Sequence, residues 1–110
     1  MIDWARVREL RDEIGADSFG EVVELFLEEV ETEMAILRES VAMIDLESHL
    51  HFLKGSALNL GFSEFSKKCQ AGETAAANGA GDTVDVTDIL ASYDASKSAF
   101  LAEIEALSAA

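Results

Sequence analysis

Apolar residues recur along this chain at three- and four-residue intervals, and they divide it into five helical segments. Trp4, Val7, Leu10 or Arg11, and Ile14 mark a short amphipathic helix from about Asp3, which Gly15 ends. Ser18-Phe-Gly-Glu21 has the form of a capping box and predicts the start of a second helix. Its stripe runs through Val22, Val23, Phe26, Leu27, Val30, Met34, Leu37 and Val41, about six turns, with Glu24, Glu28, Glu29, Glu31 and Glu33 mostly on the other, solvated faces. Asp45 is placed to cap a third helix reaching Leu60. Gly61-Phe62 breaks the pattern, and a fourth helix restarts near Ser63 and runs to about Asn78. Asn78-Gly-Ala-Gly-Asp82 reads as a loop. Thr83 or Asp85 then caps a last helix striped by Val86, Ile89, Leu90, Tyr93, Phe100, Leu101, Ile104 and Leu107.

Each segment has one apolar stripe and needs the others to bury it. The predicted fold is all-α: an antiparallel up-down-up-down four-helix bundle with a short extra N-terminal helix. With 110 residues, nearly half of them apolar, no proline and no linker-like tract, residues 1–110 are expected to form a single domain.

Charge and cysteine count narrow the function. A net charge of −14 points away from nucleic acid and anionic lipid. No apolar run approaches membrane-spanning length, and the first residues hold no apolar signal core. Cys69, the single cysteine, excludes an internal disulfide and fits a reducing compartment, so a cytoplasmic location is expected.

The candidate chemistry lies in the third helix. Leu46, Leu50, Leu53, Ala57 and Leu60 form its inward seam. At about 100° per residue His51 then falls off the seam toward solvent, with Lys54 and Gly55 one turn along. His49 lies about 200° round the helix from His51, so the pair cannot chelate one metal as an i, i+4 pair would. A glycine inside a helix costs about 1 kcal/mol relative to alanine. Beside His51 its physical use is clearance for a group approaching the imidazole, and Lys54 supplies a cation suited to an anion. Ser56 adds a hydroxyl nearby, or bonds back to the helix. The competing reading is a plain surface histidine with a glycine that accommodates packing.

His51-Phe-Leu-Lys-Gly-Ser-Ala-Leu-Asn-Leu-Gly61 resembles the H-x-L-K-G-S-x-x-x-L-G signature of histidine phosphotransfer (HPt) domains, matching at every specified position. The resemblance extends to the length and helix order of the whole chain. It implies that His51 accepts a phosphoryl group from the phospho-aspartate of a response-regulator receiver domain and passes it to another receiver. Lys54 would stand beside the phosphate and Gly55 would keep the approach clear. Glu73, on the next helix, would hydrogen-bond the histidine and set its tautomer, with Gln70 as a second polar residue facing the site. The implied partners are receiver domains and hybrid histidine kinases, with no small-molecule substrate. The domain would need no cofactor of its own, because receivers bring Mg²⁺. Imidazoles titrate near pH 6.5 in general, which leaves a neutral nitrogen available as acceptor.

Two positions depart from the family pattern: Gly72 stands where leucine is common, which predicts a loosened fourth helix, and Phe62 stands where alanine is common. A kinase dimerisation domain would place an acidic residue after the histidine and a proline soon after; this chain has Phe52 there and no proline. No nucleotide-binding motif supports autonomous kinase activity. The remaining alternative is a non-catalytic adaptor that binds receivers or kinases without carrying phosphate.

Overall fold

The computed structural model describes residues 2–40 and 45–109, apart from the side chains of Ser40 and of residues 105–109. Val41 of the second stripe and the Leu107 side chain lie outside the described residues. Within them the chain forms α1 (Trp4–Ile14), α2 (Ala16–Ser40), α3 (Leu46–Leu60), α4 (Ser63–Ala77), a single 3₁₀ turn (Gly81–Thr83) and α5 (Val86–Ala109).

The helix ends follow from local chemistry. The Asp45 carboxylate accepts from the Ser48 amide at 3.3 Å and from the Ser48 hydroxyl at 2.8 Å, which caps α3. Those bonds to Ser48 hold the Asp45 carboxyl below the ordinary carboxylate range. At the other end Gly61 takes the left-handed conformation, φ 79°. Its amide donates to Leu58 O and that of Phe62 donates to Ala57 O, a Schellman end that satisfies the last carbonyls. Gly79, also at φ 79°, closes α4 in the same way through bonds from Gly79 and Ala80 to Ala76 O and Ala75 O. Asp85 caps α5, its side chain accepting from the Asp88 amide at 3.0 Å.

The start of α2 differs from the sequence expectation. Gly15, at φ 100°, donates to Arg11 O and ends α1, while its own carbonyl accepts from Ser18 and Phe19. One residue thus ends one helix and begins the next. Ser18 therefore lies inside α2, exposed, and forms no capping box with Glu21. Phe19, absent from the predicted stripe, is buried.

Helix α2 packs on α3, α3 on α4, α4 on α5 and α5 back on α2, which closes a four-helix ring with α1 laid against α2 and α3. Joined by short connections, successive helices alternate in direction, as the all-α bundle reading expected. The 25 residues of α2 span about 37 Å, most of the 46 Å long axis. The core is built from Leu37, Leu50, Leu53, Leu60, Phe62, Phe65, Cys69 and Phe100, all essentially inaccessible. Phe62 packs edge-on against Phe100 with ring centres 5.3 Å apart, and Phe65 does the same with Tyr93. Phe62 is thus a core residue and not part of an outer surface. Burial first, and the Glu73 charge second, push the Cys69 thiol up to about 12, so it stays protonated and inert at neutral pH.

Helices α3 and α4 form the most extensive pairing in the bundle. The reason lies at Gly72. A Cβ there would meet Leu50 Cδ1 at 2.7 Å and Val84 Cγ1 at 3.3 Å. The glycine does not loosen α4, as its place in the sequence suggested; it lets α4 approach the α3 seam and receive Leu50. The N-terminus adds a strap: Asp3 N donates to Gly61 O at 2.7 Å, and Asp3 O sits where a side chain on Gly61 would project. Trp4 stacks on Phe100 at 5.9 Å, so α1 closes that end of the bundle.

Overpacking of this kind usually costs about 1–3 kcal/mol. Gly72→Leu, which restores the residue common in the family, is therefore expected to lower stability by that amount, read as an earlier midpoint in urea denaturation. An unchanged midpoint would show that Leu50 can move aside freely.

Candidate functional site

The α3–α4 pairing places two polar stripes side by side, one from each helix. From α3, His51 projects outward with 69% of its side chain exposed. From α4, Glu73 reaches back between the helices and is only 16% exposed. His51 Nδ1 lies 2.8 Å from Glu73 Oε1. The other carboxylate oxygen, Oε2, lies 2.9 Å from Lys54 Nζ. That contact is an ion pair, and Oε2 is otherwise sealed from solvent. Lys54 Nζ also donates to Gln70 Oε1 at 2.9 Å, and Gln70 Nε2 donates to Thr74 Oγ1 at 3.0 Å.

Glu73 is thus held by two groups of α3, a hydrogen bond with His51 and the charge of Lys54. Lys54 first and His51 second hold its carboxyl below the ordinary range, against the opposing effect of partial burial. The consequence for the imidazole is direct. An ionised carboxylate only accepts hydrogen bonds, so the ring nitrogen facing it carries the proton. His51 is thereby set as the Nδ1–H tautomer, with the Nε2 lone pair turned to solvent.

Gly55 lies one turn beyond His51, and a Cβ built there meets nothing within 4 Å. Among the described residues no packing requires a glycine at this position, which speaks against the accommodation reading. Ser56 is buried in the helix interface and takes no part in the outward cluster. Two large apolar side chains of α3 are exposed: Phe52, 42% exposed, next to His51 in the chain, and Leu58, 56% exposed, two turns along the His51 stripe.

The structure therefore brings His51, Lys54, Glu73 and Gln70 into one cluster and leaves open space over Gly55. Thr74 was not foreseen; its i, i+4 spacing from Gln70 was the available signal. His49 is not idle. Its Nδ1 pairs with Glu33 of α2, and both side chains are largely buried, so it ties α3 to α2. Glu31 is likewise engaged, accepting from Tyr93 at 2.9 Å and from Lys97 at 2.6 Å. Lys97 before Tyr93 holds Glu31 below the ordinary carboxylate range, while burial and Glu31 raise Tyr93. Periodicity carried no trace of these two glutamates' partners, because those partners lie on other helices.

Among the described residues no helix is long and apolar enough to cross a membrane. Comparison with curated proteins and with solved structures gives no match. The family model of the Hpt domain matches residues 21–110, from the first turns of α2 to the end of the chain, and so includes all the residues of the His51 cluster. This chain belongs to the Hpt domain family, whose members perform histidine phosphotransfer in phosphorelays and work with receiver domains and kinases.

Proposed function

We infer that this protein carries a phosphoryl group on Nε2 of His51 between receiver-domain aspartates. The observation that carries this reading is the 2.8 Å contact from His51 Nδ1 to Glu73 on an otherwise exposed ring. It leaves one nucleophilic nitrogen, aimed outward and already in the tautomer required.

In the forward step the Nε2 lone pair attacks the phosphorus of a receiver's phospho-aspartate. The N–P bond forms as the P–O bond to the aspartyl carboxylate breaks, and the carboxylate leaves with the bonding pair. No proton has to move, since the ring keeps its hydrogen on Nδ1. The positive charge that develops on the ring faces the ionised Glu73 carboxylate. Transfer to a second receiver is the same exchange in reverse, with its aspartate as nucleophile. Phosphoryl transfer depends chiefly on positioning and on neutralising the equatorial oxygens, and the receiver contributes Mg²⁺ for this. The domain needs no cofactor of its own in this scheme. Lys54 stands one turn from the acceptor and supplies a cation at its edge, Gln70 orients that ammonium, and Gly55 admits the partner's active-site loops. Phe52 and Leu58 furnish an apolar rim for docking.

The intact cluster of acceptor, orienting carboxylate and cation favours a carrier over an adaptor that only binds. A cytoplasmic site of action suits receivers as partners and a thiol that stays unpaired in Cys69.

Mixing the protein with a phosphorylated receiver should give acid-labile, base-stable label on the wild type and none on His51→Gln. Label that persists in that variant, or a wild type that stays unlabelled with several receivers, would sink the carrier reading. Gly55→Leu should fold with unchanged helix content yet lose transfer, because the new side chain starts into open space and enters the approach to His51. Transfer at the wild-type rate would remove the clearance role.

Glu73 offers a pH-dependent readout. Its folded pKa is depressed, so the stabilisation it gives the site is present above the unfolded glutamate value of about 4.3 and is lost as pH falls through the lower folded value. In a ¹⁵N NMR titration neutral His51 should report the Nδ1–H tautomer, and the Glu73 carboxyl carbon should titrate below about pH 4.3. Glu73→Ala should release the ring to the Nε2–H form and slow transfer roughly 10- to 100-fold, the usual cost of losing an orienting partner. An unchanged tautomer in that variant would separate Glu73 from the acceptor's chemistry.

A further inference from the structure

Helix α2 carries eight acidic side chains against the single Arg38, a net charge of −7 and half of the chain's −14. With histidine neutral, α3 and α4, which hold the His51 cluster, have no net charge each. The charge of this protein is thus concentrated away from the transfer face.

That acidic helix also holds a groove of about 740 Å³. Its floor is apolar, formed by Leu27, Ala35 and Ile36, and Glu24, Glu28 and Glu39 stand along its edges. Leu25, on the same outer side, is 59% exposed. From Glu24 to Glu39 the groove follows four turns of helix, about 22 Å. It faces away from α3: Glu24 lies about 180° round the helix from Glu33, the residue that meets His49. Glu33 turns away from the groove to His49, and Glu31, which lines the groove together with Thr32, is held by Tyr93 and Lys97 of α5. The edge glutamates Glu24, Glu28 and Glu39 are exposed and carry no such partner among the described residues.

An apolar floor of this length between carboxylates repels nucleic acid, anionic lipid and a second copy of this acidic chain. It complements a segment with apolar residues on one side and Lys or Arg beside them. We propose that the α2 groove is a second docking surface, taking a basic amphipathic helix of a partner protein laid along residues 24–39. Apolar residues of that helix at i, i+3 or i+4 and i+7 would meet Leu27, Ala35 and Ile36, and its cations would face Glu24, Glu28 and Glu39. Because the groove is remote from α4, such a partner leaves His51 Nε2 open, so a receiver and the basic helix can be bound together.

The probe is a synthetic four-turn peptide of leucine and lysine patterned as an amphipathic helix, titrated into the full ¹⁵N-labelled chain. The expected result is saturable one-to-one binding with shift changes concentrated on residues 24–39 and absent from the His51 cluster. A Glu24→Gln, Glu28→Gln, Glu39→Gln variant should bind about tenfold more weakly, and Ile36→Ser several-fold more weakly, both with wild-type helix content. Shifts spread evenly over the acidic residues of α1 and α5 would overturn the proposal as diffuse charge attraction. Unchanged affinity in either variant, or shifts centred on His51, would overturn it as well.

Discussion

One carboxylate organises the working half of this molecule. Glu73 joins α4 to α3 through the imidazole of His51 and the ammonium of Lys54. A carboxylate placed between helices must find a donor or a counter-ion, and here one of each comes from a single turn of the facing helix. Its ionisation, the histidine tautomer and the position of the lysine are therefore one coupled state. None of the three can change without changing what the others face. The nearby core is equally dependent, since Cys69 lies one turn before Glu73 on the inner side of the same helix and experiences its charge.

The distance across which Glu73 must reach is set by packing. Gly72 leaves room for Leu50 where a side chain would have to displace it, and Leu50 precedes His51 by one residue. The contact that brings α4 close and the contact that orients the imidazole thus involve adjacent residues on both helices. At the far end of α3 the left-handed Gly61 turns the chain within a single residue, so α4 runs back along α3. A longer connection would leave the register of Glu73 against His51 less constrained.

Much of this was legible in the sequence. The leucine seam of α3 placed His51 outside, and Asp45, Gly61 and Asn78-Gly79 marked helix ends, because capping and left-handed turns depend on residues only a few places apart. Where the reading failed, the cause was in each case a contact between distant segments or a residue with two roles. Gly72 looked like a flaw in a helix until Leu50 appeared beside it. Ser18 and Glu21 had the spacing of a capping box, but Gly15 had already started the helix. Glu31 and Glu33 were grouped with the solvated glutamates, although Tyr93, Lys97 and His49 claim them. The fold class and the outward placement of His51 depended on periodicity, and the structure has both.

The stacking of Trp4 on Phe100 has a consequence of another kind. It is the sole tryptophan of the chain, and it sits on α1, the one helix outside the matched family region. Its indole rests against the last buried aromatic of α5, at the end of the bundle closed by the strap between Asp3 and Gly61. The intrinsic fluorescence of this protein therefore observes the seating of the N-terminal helix. Emission could redden while the four bundle helices and the His51 cluster remain assembled, so an optical melting curve and a helical one would describe different events.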